Sequence, residues 1–169
     1  YFRVGLYDAA SGALMNSYLA GSDKTFQTAV PTAGSYFLAI DSPSYYNNGS
    51  YSVTANLVAG SVAGFESEPN STSATADALT LGTSMTGQLA TSTDVDWYRF
   101  TTTSAGSLSI VLDVPTSATS DYFRVGLYDA ITGALMNSYS TGSDKTFQTA
   151  VPAAGSYYLA IDVPSYYYS

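Results

Sequence analysis

The chain has 169 residues, with 13 Asp and Glu against 5 Lys and Arg and a formal net charge of −8. An acidic surface of this kind repels nucleic acid and anionic membranes and keeps a protein soluble. Neither Cys nor His is present, which excludes zinc centres, thiol chemistry and His-based triads within these residues.

Tyr is abundant, at 16 residues. Together with Val, Ile, Phe and Thr it suits a pleated, half-buried surface, so an all-β fold is expected. No long amphipathic helix, transmembrane run or signal peptide is legible, and no membrane insertion is expected of this window.

Residues 1–48 return as residues 122–169, with 39 of 48 positions identical at a constant offset of 121. A period of that size fits a whole domain better than a solenoid unit. The expected organisation is a window on a tandem array. Residues 1–60 form the C-terminal part of one β-sandwich repeat, and residues 61–169 form the next repeat without its final strand.

In chain order, Tyr36–Asp41 reads as a strand. Pro43 and Asn47-Asn-Gly49 then turn into a second strand, Ser50–Leu57, with Tyr51, Val53, Ala55 and Leu57 facing inward. Small residues follow at 58–64 and mark a boundary. Ala74–Leu79 is expected to make one helical turn. Asp96–Thr101 alternates around Trp97, Tyr98 and Phe100. Ser107–Val114 alternates with Leu108, Ile110 and Leu112 on one face. Tyr122–Tyr128 places Phe123, Val125 and Leu127 together. A turn at residues 129–133 leads to a weaker strand, Ala134–Tyr139. Lys145–Val151 groups Phe147, Thr149 and Val151, and Ser156–Asp162 groups Tyr157, Leu159 and Ile161. Each run is bounded by Gly, Pro, Ser or Asp. Many short strands at this spacing predict tandem jelly-roll-like antiparallel β-sandwiches. Trp97, Phe123 and Phe147 are expected in the core. Arg3 and Arg124 are expected to face outward or to pair with an Asp across the sheet. Residues 61–169 lack a counterpart of Ser50–Leu57. An adjoining repeat is expected to fill that edge with its own segment equivalent to Gly49–Val58.

Glu66-Ser-Glu68-Pro-Asn70, then Ala74–Leu79, Gly87-Gln-Leu89 and Asp94-Val-Asp-Trp-Tyr-Arg-Phe100 occur in that order, with Ala153–Leu159 further on. In these stretches the chain resembles the bacterial pre-peptidase C-terminal domain family. Residues 1–58 match the later half of the same pattern. The resemblance implies a secreted, non-catalytic β-sandwich, appended to proteases and other exported proteins or repeated in surface proteins. The family is structurally similar to calcium-binding collagen-binding domains of secreted collagenases. Those domains fold an acidic segment onto the loop before the Trp-containing strand.

That comparison makes Glu66, Glu68, Asn70, Asp94 and Asp96 the candidate calcium ligands. Glu66, Glu68 and Asn70 alternate along an extended segment, and calcium takes hard oxygen donors. The competing reading is a solvated acidic linker with Asp96 capping a turn. Tyr45, Tyr46, Tyr166, Tyr167 and Tyr168 form the candidate interface, since Tyr combines apolar area with a polar tip. Asn48-Gly-Ser50 and Asn70-Ser-Thr72 are sequons expected in exposed loops. No nucleophile–base pair is evident, and acidic neighbours two apart lack the differentiated surroundings that acid–base catalysis requires. The expected function is a non-enzymatic structural repeat of an extracellular or cell-surface fibre, filament or adhesin stalk in a bacterium. Its partners would be adjoining copies of the repeat. The alternative is a substrate-binding accessory module of a secreted hydrolase, holding polysaccharide or protein.

Overall fold

The computed structural model describes residues 2–43, 49–59, 63–114 and 122–164. Tyr45, Tyr46, Tyr166, Tyr167 and Tyr168 lie outside these residues, as does Asn48. The described residues form ten strands: β1 (Phe2–Asp8), β2 (Leu14–Ala20), β3 (Tyr36–Asp41), β4 (Asp77–Ala78), β5 (Val95–Thr102), β6 (Gly106–Leu112), β7 (Phe123–Asp129), β8 (Leu135–Thr141), β9 (Lys145–Val151) and β10 (Gly155–Asp162). No α-helix occurs among them; Ser73–Thr75 makes a short 3₁₀ turn. The protein is all-β and antiparallel, apart from the short parallel β4–β5 pair and one parallel bridge between Phe65 and Thr86.

The chain divides into two units. The first comprises Tyr1–Pro69 and Met85–Ala90, and the second Asn70–Ser84 and Thr91–Ser169.

The second unit has a five-stranded sheet, β4-β5-β10-β7-β8, and a two-stranded sheet, β6-β9. Period-2 alternation decides which side chains meet between them. Tyr98 and Phe100 of β5, Val125 and Leu127 of β7, Tyr157 and Leu159 of β10, Ile110 of β6, and Phe147 and Val151 of β9 are all buried. Phe100 and Tyr157 stack with ring centroids 5.7 Å apart, and Tyr139 stacks on Phe147 at 4.6 Å. Trp97 has the opposite parity from Tyr98. It therefore lies half-buried on the other face, against Tyr128 at 5.0 Å and Tyr158 at 5.8 Å, and not in the core. Phe123 is likewise only half-buried.

The first unit contains the three-stranded sheet β2-β1-β3. Its strands repeat β8-β7-β10 in order and in register. The pairs Arg3↔Asp41 and Arg124↔Asp162 illustrate this. Each is a bidentate ion pair, with Arg Nε donating at 3.0 Å and 2.8 Å. The hairpin turn is also common to both. Asp8 accepts from the backbone of Ala10 and Ser11 and from the Ser11 hydroxyl, and Asp129 does the same with Ile131 and Thr132. Gly12 and Gly133 close these turns at φ +71° and +70°, a region that glycine enters without steric cost.

Ser50–Leu57 forms no strand, contrary to the pattern of its apolar residues. Tyr51, Val53 and Leu57 are 58%, 55% and 76% exposed. Alternation supplies an apolar face, but a strand also needs a ladder for its backbone groups. Among the described residues the first unit has only its three-stranded sheet, and no second sheet like β6-β9 for this segment to join. Ala74–Leu79 is also reassigned: the helical turn is confined to Ser73–Thr75, and Asp77–Ala78 pairs in parallel with Tyr98 and Arg99.

Candidate metal site

The sequence-predicted ligands are divided between the two units, Glu66 and Glu68 in the first and Asn70, Asp94 and Asp96 in the second. In the first unit the segment before Glu66 is held by the Phe65–Thr86 bridge. Glu66 N donates to Thr86 O at 3.0 Å, and Thr86 N donates to Gly64 O at 2.8 Å. This fixes the direction of the Glu66 side chain, whose Oε1 accepts from the backbone N–H of Gln88. Glu66 and Glu68 are 5% and 9% exposed, and each offers an oxygen within 4.8 Å of the other's. Alternation along the extended segment does converge these two side chains, and it buries them, so the solvated-linker picture does not describe them.

Two like charges this close in a buried setting repel strongly unless something positive sits near them. The field of Glu66 reaches the first sheet. Burial raises the pKa of the Tyr18 hydroxyl, its hydrogen bond with Thr28 opposes that, and the Glu66 charge adds to the rise. Gln88 completes the neighbourhood. Its side-chain amide donates to Ser17 O, which aims the group, while its Oε1 is buried and accepts no hydrogen bond among the described residues. A buried amide oxygen, on the residue whose backbone N–H meets Glu66, belongs to the donor class that a hard divalent cation takes. Gln88 is absent from the ligand set read from the sequence. Its one signal there is its place in Gly87-Gln-Leu89.

In the second unit Asn70 is fully buried, but as a fastener. Its carbonyl accepts from Trp97 N at 3.1 Å and its side-chain amide donates to Asp77 at 3.2 Å. The sequon at Asn70 is therefore not in an exposed loop, and its nitrogen is not presented for glycosylation. Asp94 caps the entry to β5, accepting from Val95 N at 2.9 Å and from the Ser71 hydroxyl at 3.2 Å. Asp96 is 2% exposed and shares the inner face of β5 with Tyr98 and Phe100. It is part of a strand and not a turn cap.

No protein-family model matches the chain. No curated protein matches it closely enough to count as a relative.

Proposed function

We propose that this chain is a structural repeat of an extracellular fibre, filament or adhesin stalk, built from tandem β-sandwiches of the kind found in pre-peptidase C-terminal domains. The observation that carries this reading is the double occurrence of one platform. The same strands, β2-β1-β3 and β8-β7-β10, recur with the same register, the same Arg–Asp clamp and the same Asp-Gly turn. A chain that repeats a whole architectural unit, and keeps its surface clamps as faithfully as its core, is suited to length and multivalency. An enzyme needs one set of reacting groups, and neither copy presents one in the sequence.

Calcium is the cofactor that belongs to this reading. Its anchor is the buried pair Glu66 and Glu68 with the Gln88 amide oxygen. Asn70, Asp94 and Asp96, which belong to the second unit, are oxygen donors of the class such an ion takes. The ion would neutralise the carboxylates and stiffen the segment that carries them.

The test is location and form. Antibodies raised against this chain should decorate filaments or stalks on the outside of the producing cell. Labelling confined to the cell interior, or to a soluble secreted hydrolase, would overturn the proposal.

A further inference from the structure

Sequence and structure divide the chain at different places. By sequence, residues 65–69 and 85–90 follow the small-residue boundary at 58–64 and open the second repeat. By structure, both stretches belong to the first unit, which comprises Tyr1–Pro69 and Met85–Ala90. The chain therefore passes between the units three times, after residues 69, 84 and 90. The two stretches are joined to each other. Glu66 N donates to Thr86 O at 3.0 Å, Thr86 N donates to Gly64 O at 2.8 Å, and Gln88 N donates to the Glu66 carboxylate. Their hold on the first sheet runs through Gln88, whose side-chain amide donates to Ser17 O on β2, the outer strand of β2-β1-β3. The Glu66 charge acts on the hydroxyl of Tyr18, the next residue along β2.

The second hairpin supplies the comparison. Ser17 and Ser138 are matching residues, opposite Gly5 and Gly126. Leu14–Tyr18 and Leu135–Tyr139 have the same five residues. Yet β2 is the more buried strand at every position from 14 to 17. Met15 is 3% exposed and Asn16 5%, whereas Met136 is half-buried and Asn137 exposed. With the residues identical, the difference lies in what packs on each strand.

We infer that residues 65–69 and 85–90 are a clasp between repeats, lent by each repeat to the hairpin of the one before it, with the Gln88 amide as anchor and the Ser17 carbonyl as receptor. The inference rests on the array reading above and adds the surface by which neighbours are joined. Lending of this kind makes one repeat's hairpin depend on its successor, so that stability along an array includes a term for each interface. On β8 the carbonyl of Ser138 is the matching receptor for the corresponding Gln of a following repeat.

The experiment uses the full chain in chelator. Gln88→Ala removes the anchoring amide, and amide hydrogen exchange is followed residue by residue. Exchange in β2 should quicken by about tenfold, with β8 unchanged. A second measurement leaves Gln88 in place. The chain has no Cys, so two can be introduced cleanly. A short bismaleimide should link the pair Gly87→Cys and Ser17→Cys, and should fail to link Gly87→Cys and Ser138→Cys within one chain. Linkage to position 138 in place of 17, or loosening of β8 in place of β2, would overturn the inference, because the stretches would then serve their own repeat. An unaltered β2 together with no linkage at position 17 would overturn it as well. Filaments on the cell with either of those results would overturn this inference alone. A Gln88-dependent β2 in a protein found only inside the cell would overturn the array reading alone.

Discussion

Replacing Glu68 with Gln removes one charge from the buried pair while keeping the shape of the side chain. With the carboxylate oxygens within 4.8 Å of each other, the mutual repulsion is about 3 kcal/mol at an effective dielectric constant near 20. Without divalent cations the substitution should therefore stabilise the first unit by roughly 1–3 kcal/mol, the lower end allowing for relaxation. In a unit of this size that is a rise of several degrees in melting temperature. With calcium in hundredfold excess over its dissociation constant, the parent should gain about 2.7 kcal/mol by linkage. Glu68→Gln loses a charged ligand and should gain much less.

The two proteins should consequently change order. The variant melts higher in chelator, and the parent recovers the difference in calcium. Far-ultraviolet circular dichroism against temperature, recorded for both proteins in chelator and in calcium, reads this directly. A variant that melts below the parent in chelator, with equal response of both proteins to calcium, would refute the reasoning. Glu66 and Glu68 would then be held by their protein neighbours alone.

Hydrogen exchange should separate two identical heptapeptides. Amides of Lys145–Val151, laddered to β6, should exchange far more slowly than those of residues 24–30, which form no strand. Leu127→Ala, at 1% exposure, should cost the second unit about 2–5 kcal/mol in denaturant unfolding. Acid should destabilise both turns. Asp8 is held below the usual carboxylate range chiefly by the Ser11 hydroxyl, and Asp129 chiefly by the Thr132 backbone N–H. A depressed folded pKa gives stability that is present above the unfolded pKa near 4 and lost as pH falls through the folded value. Asp129→Asn should flatten that acid limb of a melting-temperature profile. Arg124→Ala, which removes a partly exposed clamp, should cost about 1 kcal/mol by thermal unfolding.

Alternation read from the sequence placed β3 and β9 with the bounds the structure has, and it grouped Val125 with Leu127 and Tyr157 with Leu159 correctly. It misplaces Trp97, because a large aromatic residue reads as core whereas its neighbours Tyr98 and Phe100 hold the inner parity. Burial of Asn70 was not legible either. An Asn followed by Ser and Thr reads as a surface sequon. Only the structure shows its side chain bound to Asp77 and its carbonyl bound to Trp97 N. The Glu66–Glu68 spacing was legible, since extended alternation converges i and i+2. Gln88 was not readable as their neighbour, because it arrives from 20 residues further on through the Phe65–Thr86 bridge. The failed strand at 50–57 has the same origin. Local pattern states what a segment could pair with, and the presence of a partner is a non-local fact.

The repeated heptapeptide shows where local information stops. Lys24–Val30 and Lys145–Val151 have the same seven residues. Several side-chain contacts survive in both settings. Tyr18 stacks on Phe26 at 4.4 Å as Tyr139 stacks on Phe147 at 4.6 Å. The Tyr18 hydroxyl donates to Gln27 O as that of Tyr139 donates to Gln148 O. Asn16 reaches Thr28 as Asn137 reaches Thr149. The side chains thus dock the segment onto the hairpin without any ladder. Only the second copy, where β6 lies alongside from Gly106 to Leu112, converts that docked segment into a strand. The hairpin platform is therefore specified by its own residues, and the second sheet by the company it keeps. In an array of the proposed kind this division has a mechanical consequence. A load that separates β6 from β9 removes the ladder but leaves the aromatic and hydroxyl contacts in place. The released segment stays positioned for re-pairing when the load is removed.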